Sequence, residues 1–178
     1  MLIPELLAPA GNMERLKFAL HYGADAAYCG GKMFGLRSFA DNFTLEELRG
    51  AADYAHSLSK KLYVTVNAFL KNSALPQLEE YLPALAQTGV DALIVTDPAV
   101  LMTLKERAPE MEFHISTQAN TLNYRAAQFW ESLGASRIIL AREVSLDEIR
   151  EIRARLRPET EIECFVHGAM CVSYSGRC

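Results

Sequence analysis

The chain has 178 residues, 50% of them apolar and 22% charged, a balance that supports one compact folded domain and excludes disorder. Eighteen basic residues against 22 acidic ones leave a formal net charge of -4. That charge excludes a general polyanion binder and confines any nucleic-acid contact to a local patch. No run approaches the ~18 consecutive apolar residues of a bilayer span, and Met1-Leu2-Ile3-Pro4-Glu5 lacks the basic start and apolar stretch of a signal peptide. A cytoplasmic protein with no membrane contact is the expectation.

In chain order, a first strand is predicted over Glu5 to Ala8, followed by a helix capped by Asn12 and running through Leu20. The triplet Gly23-Ala24-Asp25 closes that helix and leads into a strand over Ala26 to Cys29. A long polar and aromatic segment, Gly30 to Phe43, separates it from a helix that opens with the capping-box spacing Thr44-Leu45-Glu46-Glu47. The third strand spans Leu62 to Asn67, and Pro83 should kink or shorten the helix after it. Gly89-Val90-Asp91 then precedes an apolar strand over Ala92 to Val95, and Asp97-Pro98 reads as an N-cap with proline at the first helical position. A fifth strand covers Glu112 to Ser116, and Asn120 or Asn123 caps the fifth helix, in which Phe129 and Trp130 are read as packing residues. Gly134-Ala135-Ser136 leads into a strand over Arg137 to Leu140, Ser145-Leu146-Asp147-Glu148 forms a second capping box, and a last strand covers Glu161 to Val166.

Strands and helices therefore alternate, and the three glycine triplets mark helix ends that accept a left-handed backbone. Continuously apolar strands fit a parallel sheet covered on both faces. Two architectures compete. A doubly wound sheet usually carries a glycine-rich phosphate loop after its first strand, whereas Ala8-Pro9-Ala10-Gly11-Asn12 has one glycine. The steady repeat favours an α/β fold of the (β/α) TIM-barrel type. A complete barrel typically needs ~250 residues, so seven βα units in residues 1–178 are expected to be an incomplete barrel domain, the N-terminal part of a longer protein.

Active sites of such barrels lie at the carboxyl ends of the strands, so those positions carry the functional reading. They hold Lys32 and Arg37 after the second strand, Asn67 after the third, Asp97 after the fourth, Gln118 and Asn120 after the fifth, Arg142 and Glu143 after the sixth, and His167 after the seventh. Converging polar groups are what a ligand pocket requires. Bland readings stand beside them: Asp97 as a helix cap, Arg142 and Glu143 as a rim ion pair, His114 as a structural histidine. Arg150, Arg153 and Arg157, interleaved with acids at helical spacing, read as a solvated face. The Gly30 to Phe43 segment, with Met33, Phe34, Leu36, Phe39 and Phe43, is read as a lid over the barrel opening.

Of four cysteines, Cys164, Cys171 and Cys178 fall in the last fifteen residues, and Cys29 stands apart. In a chain without an export signal this favours metal or redox chemistry over a disulfide framework. Six residues separate Cys171 from Cys178, which is neither a zinc-ribbon nor a thioredoxin spacing, so on spacing alone a metal site and two unligated thiols both stay open.

The terminal run Glu163-Cys164-Phe165-Val166-His167-Gly168-Ala169-Met170-Cys171-Val172-Ser173-Tyr174-Ser175-Gly176-Arg177-Cys178 resembles the signature of the collagenase-like peptidase family, bacterial peptidases of unassigned mechanism. Glu163, Phe165, Gly168, Ala169, Met170, Cys171, Gly176 and Cys178 fill its fixed positions. Pro4 to Gly11, Tyr22 to Ala26, Thr96-Asp97-Pro98 and His114 to Asn120 are similar to the same family. Within it, the likeness points to prephenate-dependent hydroxylases that form 5-hydroxyuridine at the tRNA wobble position.

The resemblance implies a barrel domain and a 4Fe-4S iron-sulfur cluster with Cys171 and Cys178 as two ligands, the remaining ligands being expected beyond residue 178. It further implies prephenate as co-substrate, with Arg37 and Arg142 facing its carboxylates, and a tRNA anticodon loop as partner. Asn67 and Gln118 join the substrate-binding residues, while His167 and Glu143 are the candidates for proton transfer. Three alternatives remain: cysteine-dependent proteolysis pairing Cys171 or Cys178 with His167 or His114, hydroxylation of ribosomal RNA cytidine or of a ubiquinone precursor, and a catalytically silent binding domain.

Overall fold

A computed structural model describes residues 3–36 and 42–177. They divide into two compact units, Met1–Met111 and Glu112–Cys178. The first holds β1 (Leu7–Pro9), α1 (Met13–His21), β2 (Ala26–Gly30), α2 (Leu45–Ser57), β3 (Lys61–Val66), α3 (Leu75–Ala86), β4 (Ala92–Val95) and α4 (Pro98–Arg107). The second holds β5 (Glu112–Ile115), α5 (Tyr124–Ser132), β6 (Arg137–Ile139), α6 (Leu146–Arg155) and β7 (Glu161–Glu163). Among the described residues seven strands thus alternate with six helices, the α/β pattern the sequence predicts.

Within the first unit β1 pairs with β2, β2 with β3 and β3 with β4, all parallel. Within the second, β5 pairs with β6 and β6 with β7, again parallel. A helix after each strand is what lets parallel neighbours follow one another in chain order. Strands β4 and β6 are buried on both faces: Ala92, Leu93, Ile94 and Val95 are all buried in β4, and Arg137, Ile138 and Ile139 in β6. Helix α3 buries Leu78, Tyr81, Leu82 and Leu85, one stripe at helical spacing. It runs through Pro83 and closes at Ala86.

Local chemistry sets the helix ends where the sequence places them. Asn12 accepts from the Arg15 N–H, Asp97 from Ala99 and Asn123 from Ala126, while Thr44 with Glu47 and Ser145 with Glu148 form complete capping boxes. Gly23, Gly89 and Gly134 take φ of 111°, 86° and 93° just past α1, α3 and α5, a backbone that residues with a Cβ resist. The polar residue two places after each glycine does further work. Asp25 Oδ2 accepts the Leu6 N–H at 2.9 Å, Asp91 Oδ2 accepts the Leu62 N–H at 2.7 Å, and the Ser136 hydroxyl donates to the Phe113 carbonyl at 3.2 Å. Each ties the entry of one strand to the junction leading into its neighbour.

Four expectations are corrected. Strand β7 ends at Glu163 rather than Val166, because β6 offers only three paired residues and the Leu140 N–H makes the last ladder bond, to the Glu163 carbonyl. The Ala141 N–H then turns to Thr121, and Cys164 to His167 leave the sheet without a partner strand among the described residues. Strand β1 begins at Leu7, two residues late, since Leu6 is engaged by Asp25 through both its N–H and its carbonyl. Phe129 is not packed inside: it is exposed, edge-on to Trp130 with centroids 4.9 Å apart. Arg153 is not part of a solvated face, since its guanidinium donates to the Thr160 and Arg157 carbonyls and fastens the turn that follows α6. Arg150 is solvated as expected.

Candidate functional site around the segment after the last strand

In the second unit, the stretches leaving β5, β6 and β7 meet at the strands' carboxyl ends. Beyond β5 the Ser116 hydroxyl accepts the Gln118 N–H at 3.2 Å and opens a 3-10 turn over Thr117–Ala119. Asn120 ends that turn in the left-handed region, at φ 56°. Asparagine tolerates this conformation better than most residues with a Cβ. The Thr117 hydroxyl donates to the Leu140 carbonyl at 3.2 Å, which joins the turn to the end of β6. Asn120 is therefore a turn terminator, and the capping role falls to Asn123.

Beyond β6, Arg142 grips the segment that follows β7. Its Nη1 donates to the Cys171 carbonyl at 2.6 Å, its Nη2 to the Ser173 carbonyl, and its Nε and backbone N–H to the Ser175 hydroxyl oxygen at 3.2 and 3.1 Å. Glu143 completes the hold by accepting the Ser175 N–H at 2.9 Å. Local desolvation opposes ionisation of Glu143, but hydrogen bonds from the Ser175 and Glu143 N–H groups and the Ser175 hydroxyl, with the Arg142 charge, keep its carboxyl below the usual range. Gly176 sits in the crook of the β5 turn. A Cβ there would lie 2.8 Å from Asn120 Cβ and 3.0 Å from the Gln118 carbonyl oxygen, and its φ is 73°.

Arg142, Glu143, Phe165, Met170, Cys171 and Tyr174 line an open concavity of about 390 Å³ on this segment. Phe165, Met170, Val172 and Tyr174 are all exposed, an apolar surface gathered within a few residues of Cys171. Gln118, Arg142, Glu143 and Cys171 thus belong to one neighbourhood, Gln118 through its backbone. His167 is exposed and does not line the concavity.

The first unit holds the other candidates. Asn67 follows β3, and its Oδ1 accepts the Leu36 N–H at 3.1 Å, so it braces the segment that leaves β2. The ends of that segment are pinched together: the Lys32 N–H donates to Phe43, the Phe43 N–H to Gly30, and Phe34 packs 5.4 Å from Tyr81. Phe43 is buried and Leu36 exposed. Arg37 and Phe39 lie outside the described residues, as does Cys178. Asp97 spends both oxygens structurally, on Ala99 and on the Leu70 N–H at 2.8 Å. His114 is buried in β5, as a structural histidine should be.

The thiols differ sharply in environment. Burial pushes the Cys29 thiol up to about 12, and burial followed by the Glu163 charge raises that of Cys164. Both shifts favour the protonated thiol. Cys171 is exposed on a fastened segment. Among the described residues no group of three or more His, Cys, Asp or Glu side chains is placed to hold a metal ion. The described donors therefore fit a soft-metal ligand at Cys171 and supply only part of the about four thiolates a cubane cluster requires.

Residues 11–178 match the model of peptidase family U32. The chain belongs to that family. A solved U32 peptidase structure superposes with a TM-score of 0.74 at 17% identity, covering 91% of this chain and 68% of that one, and so shares its barrel-like fold. The U32 chain is also 51% identical over 175 residues to the tRNA hydroxylation protein P1 of Bacillus subtilis, covering 98% of this chain and 41% of the relative. It is 40% identical over 174 residues to the 23S rRNA 5-hydroxycytidine C2501 synthase of Escherichia coli, covering 98% of this chain and 26% of the relative. The chain thus spans about two fifths of the first of these relatives and about a quarter of the second. No helix among the described residues is long and apolar enough to cross a membrane.

Sequence reasoning missed Ser175, 2% exposed and bonded to both Arg142 and Glu143. It occupies a variable position of the terminal signature, and a small polar residue beside Gly176, a fixed position of that signature, was the available signal.

Proposed function

We propose that this chain is the barrel portion of an RNA hydroxylase that places an oxygen function on C5 of a pyrimidine, with a tRNA wobble uridine as the target. The likeness to the Bacillus subtilis hydroxylation protein over 98% of the chain carries this reading. Prephenate is the proposed oxygen donor, the anticodon loop the partner, and the cytoplasm the place of action. A base in a single-stranded loop can be splayed out at modest cost, which suits an open concavity of about 390 Å³ better than a duplex would.

The chain's own residues have assignable parts in this reading. Cys171 and Cys178 would hold an iron-sulfur cluster jointly with ligands outside residues 1–178, and such a cluster supplies redox chemistry when bound. Arg142 has five guanidinium N–H groups and commits three to the segment after β7, which leaves two, among the described residues, for a carboxylate. Arg37, Asn67 and Gln118 are the further substrate-binding candidates. Glu143, ionised at neutral pH, acts as a proton acceptor, and His167 is the second candidate for moving a proton.

The test is genetic and chemical. Deleting the gene in its native host and measuring modified nucleosides by mass spectrometry should remove 5-hydroxyuridine from tRNA, and the wild-type gene but not Cys171→Ala should restore it. Unchanged 5-hydroxyuridine in the deletion strain, or full restoration by Cys171→Ala, would overturn the reading. Loss of 5-hydroxycytidine from ribosomal RNA instead would move the substrate to the second relative's class.

A further inference from the structure

We infer that Arg142 and Glu143 are positioning residues: acting through Ser175, they fix the backbone on which Cys171 is presented as a ligand for a thiophilic metal. The inference rests on the metal reading proposed above, and assigns to this pair a task that no likeness to other proteins specifies. Three observations carry it. The segment 171–176 lies beyond the end of β7 at Glu163 and joins no strand among the described residues, so side-chain bonds supply much of its order. Arg142 supplies that order with a forked set of bonds, one of them to the carbonyl of Cys171 itself, and a planar fork is a geometry that lysine cannot reproduce. Ser175 is nearly fully buried while Val172 and Tyr174 on the same segment are exposed, and it meets Arg142 by its hydroxyl and Glu143 by its N–H.

Gly176 adds a second fixed point, wedged against Asn120 and Gln118. Cys171 stands directly before this fastened stretch, so its backbone enters an anchored segment. Preorganising a ligand in this way reduces the ordering cost of binding and therefore raises affinity.

The test uses the native protein, Cd2+ as a thiol-seeking probe read by its sulfur charge-transfer absorbance, and amide hydrogen exchange over residues 171–177. Arg142→Ala, Arg142→Lys and Glu143→Ala should each weaken Cd2+ binding at least fivefold and speed exchange at Ser175 at least tenfold. Glu143→Gln, which keeps a carbonyl oxygen for the Ser175 N–H, should stay within twofold of wild type on both readouts. A merely structural contribution would move the melting temperature of all four variants and grant no rescue to glutamine. Wild-type exchange and Cd2+ affinity in Arg142→Ala would overturn the inference, as would failure of Glu143→Gln to restore them. If wild-type protein binds no Cd2+ while exchange responds as stated, the clamp holds and the metal reading falls.

Discussion

Gly176 shows how much one atom can decide at the residue scale. With φ at 73° and Asn120 Cβ only 2.8 Å from where a Cβ would sit, Gly176→Ala faces backbone strain and a collision with another residue's Cβ. The substitution should cost about 1–3 kcal/mol of local stability, read as faster proteolysis after Arg177 with little change in the global melting temperature. Gly134→Ala makes a fair control, since its φ is also positive but nothing lies within 4 Å of its would-be Cβ. The sequence named Gly176 as a fixed position without supplying a reason. The reason is a turn more than fifty residues upstream, which no local pattern could reveal.

Among the elements, helix starts were the most legible feature. Thr44, Ser145, Asn12 and Asp97 cap where their spacing says they should, because a cap is a bond between residues two or three apart. Ser145→Ala should therefore cost about 1 kcal/mol, the ordinary worth of an N-cap. Asp97→Ala should cost more, about 2 kcal/mol, since it also abandons the Leu70 N–H twenty-seven residues away. Urea unfolding of the two variants side by side checks the ordering, and equal losses would remove the second role of Asp97. Strand ends were less legible than helix starts. The apolar run Cys164-Phe165-Val166 has strand propensity, yet the strand stops when its neighbour does, and the length of β6 is not written in β7.

For the molecule as a whole, stability should form a plateau bounded by titrations of known sign. Hydrogen bonds from Leu6 and Lys60 at Asp25, and from Thr44 at Glu47 and Ser145 at Glu148, hold these carboxyls below their ordinary values. At Glu131 burial works the other way, but the Thr160 hydroxyl and Arg157 outweigh it. A carboxyl lowered in the folded state stabilises fully above its unfolded value and loses that contribution as pH falls through the folded one. The loss should begin below 4.5 for the glutamates and below 3.8 for Asp25. On the alkaline side, burial pushes Cys29 from 9.0 and Tyr81 from 10.0 up to about 12, so stability should decline as pH rises past 9 and the unfolded chain sheds protons first. Melting temperatures recorded from pH 3 to 10.5 should be flat between about 5.5 and 8.5 and fall on both sides. A curve that rises toward pH 3 would contradict the assigned directions.

By itself the sequence determined the alternation of strand and helix, the parallel α/β class, the glycine-closed helix ends and the family signature that ends at Cys178. These depend on residues a few positions apart, or on side-chain periodicity, and both are printed along the chain. Only the tertiary structure decided that Arg142 and Glu143 clasp the segment bearing Cys171, that Ser175 is the buried hub between them, and that Cys29 is buried while Cys164 is half-buried and Cys171 exposed. Such facts rest on contacts spanning some thirty residues and on burial, which exist only after the chain has closed upon itself.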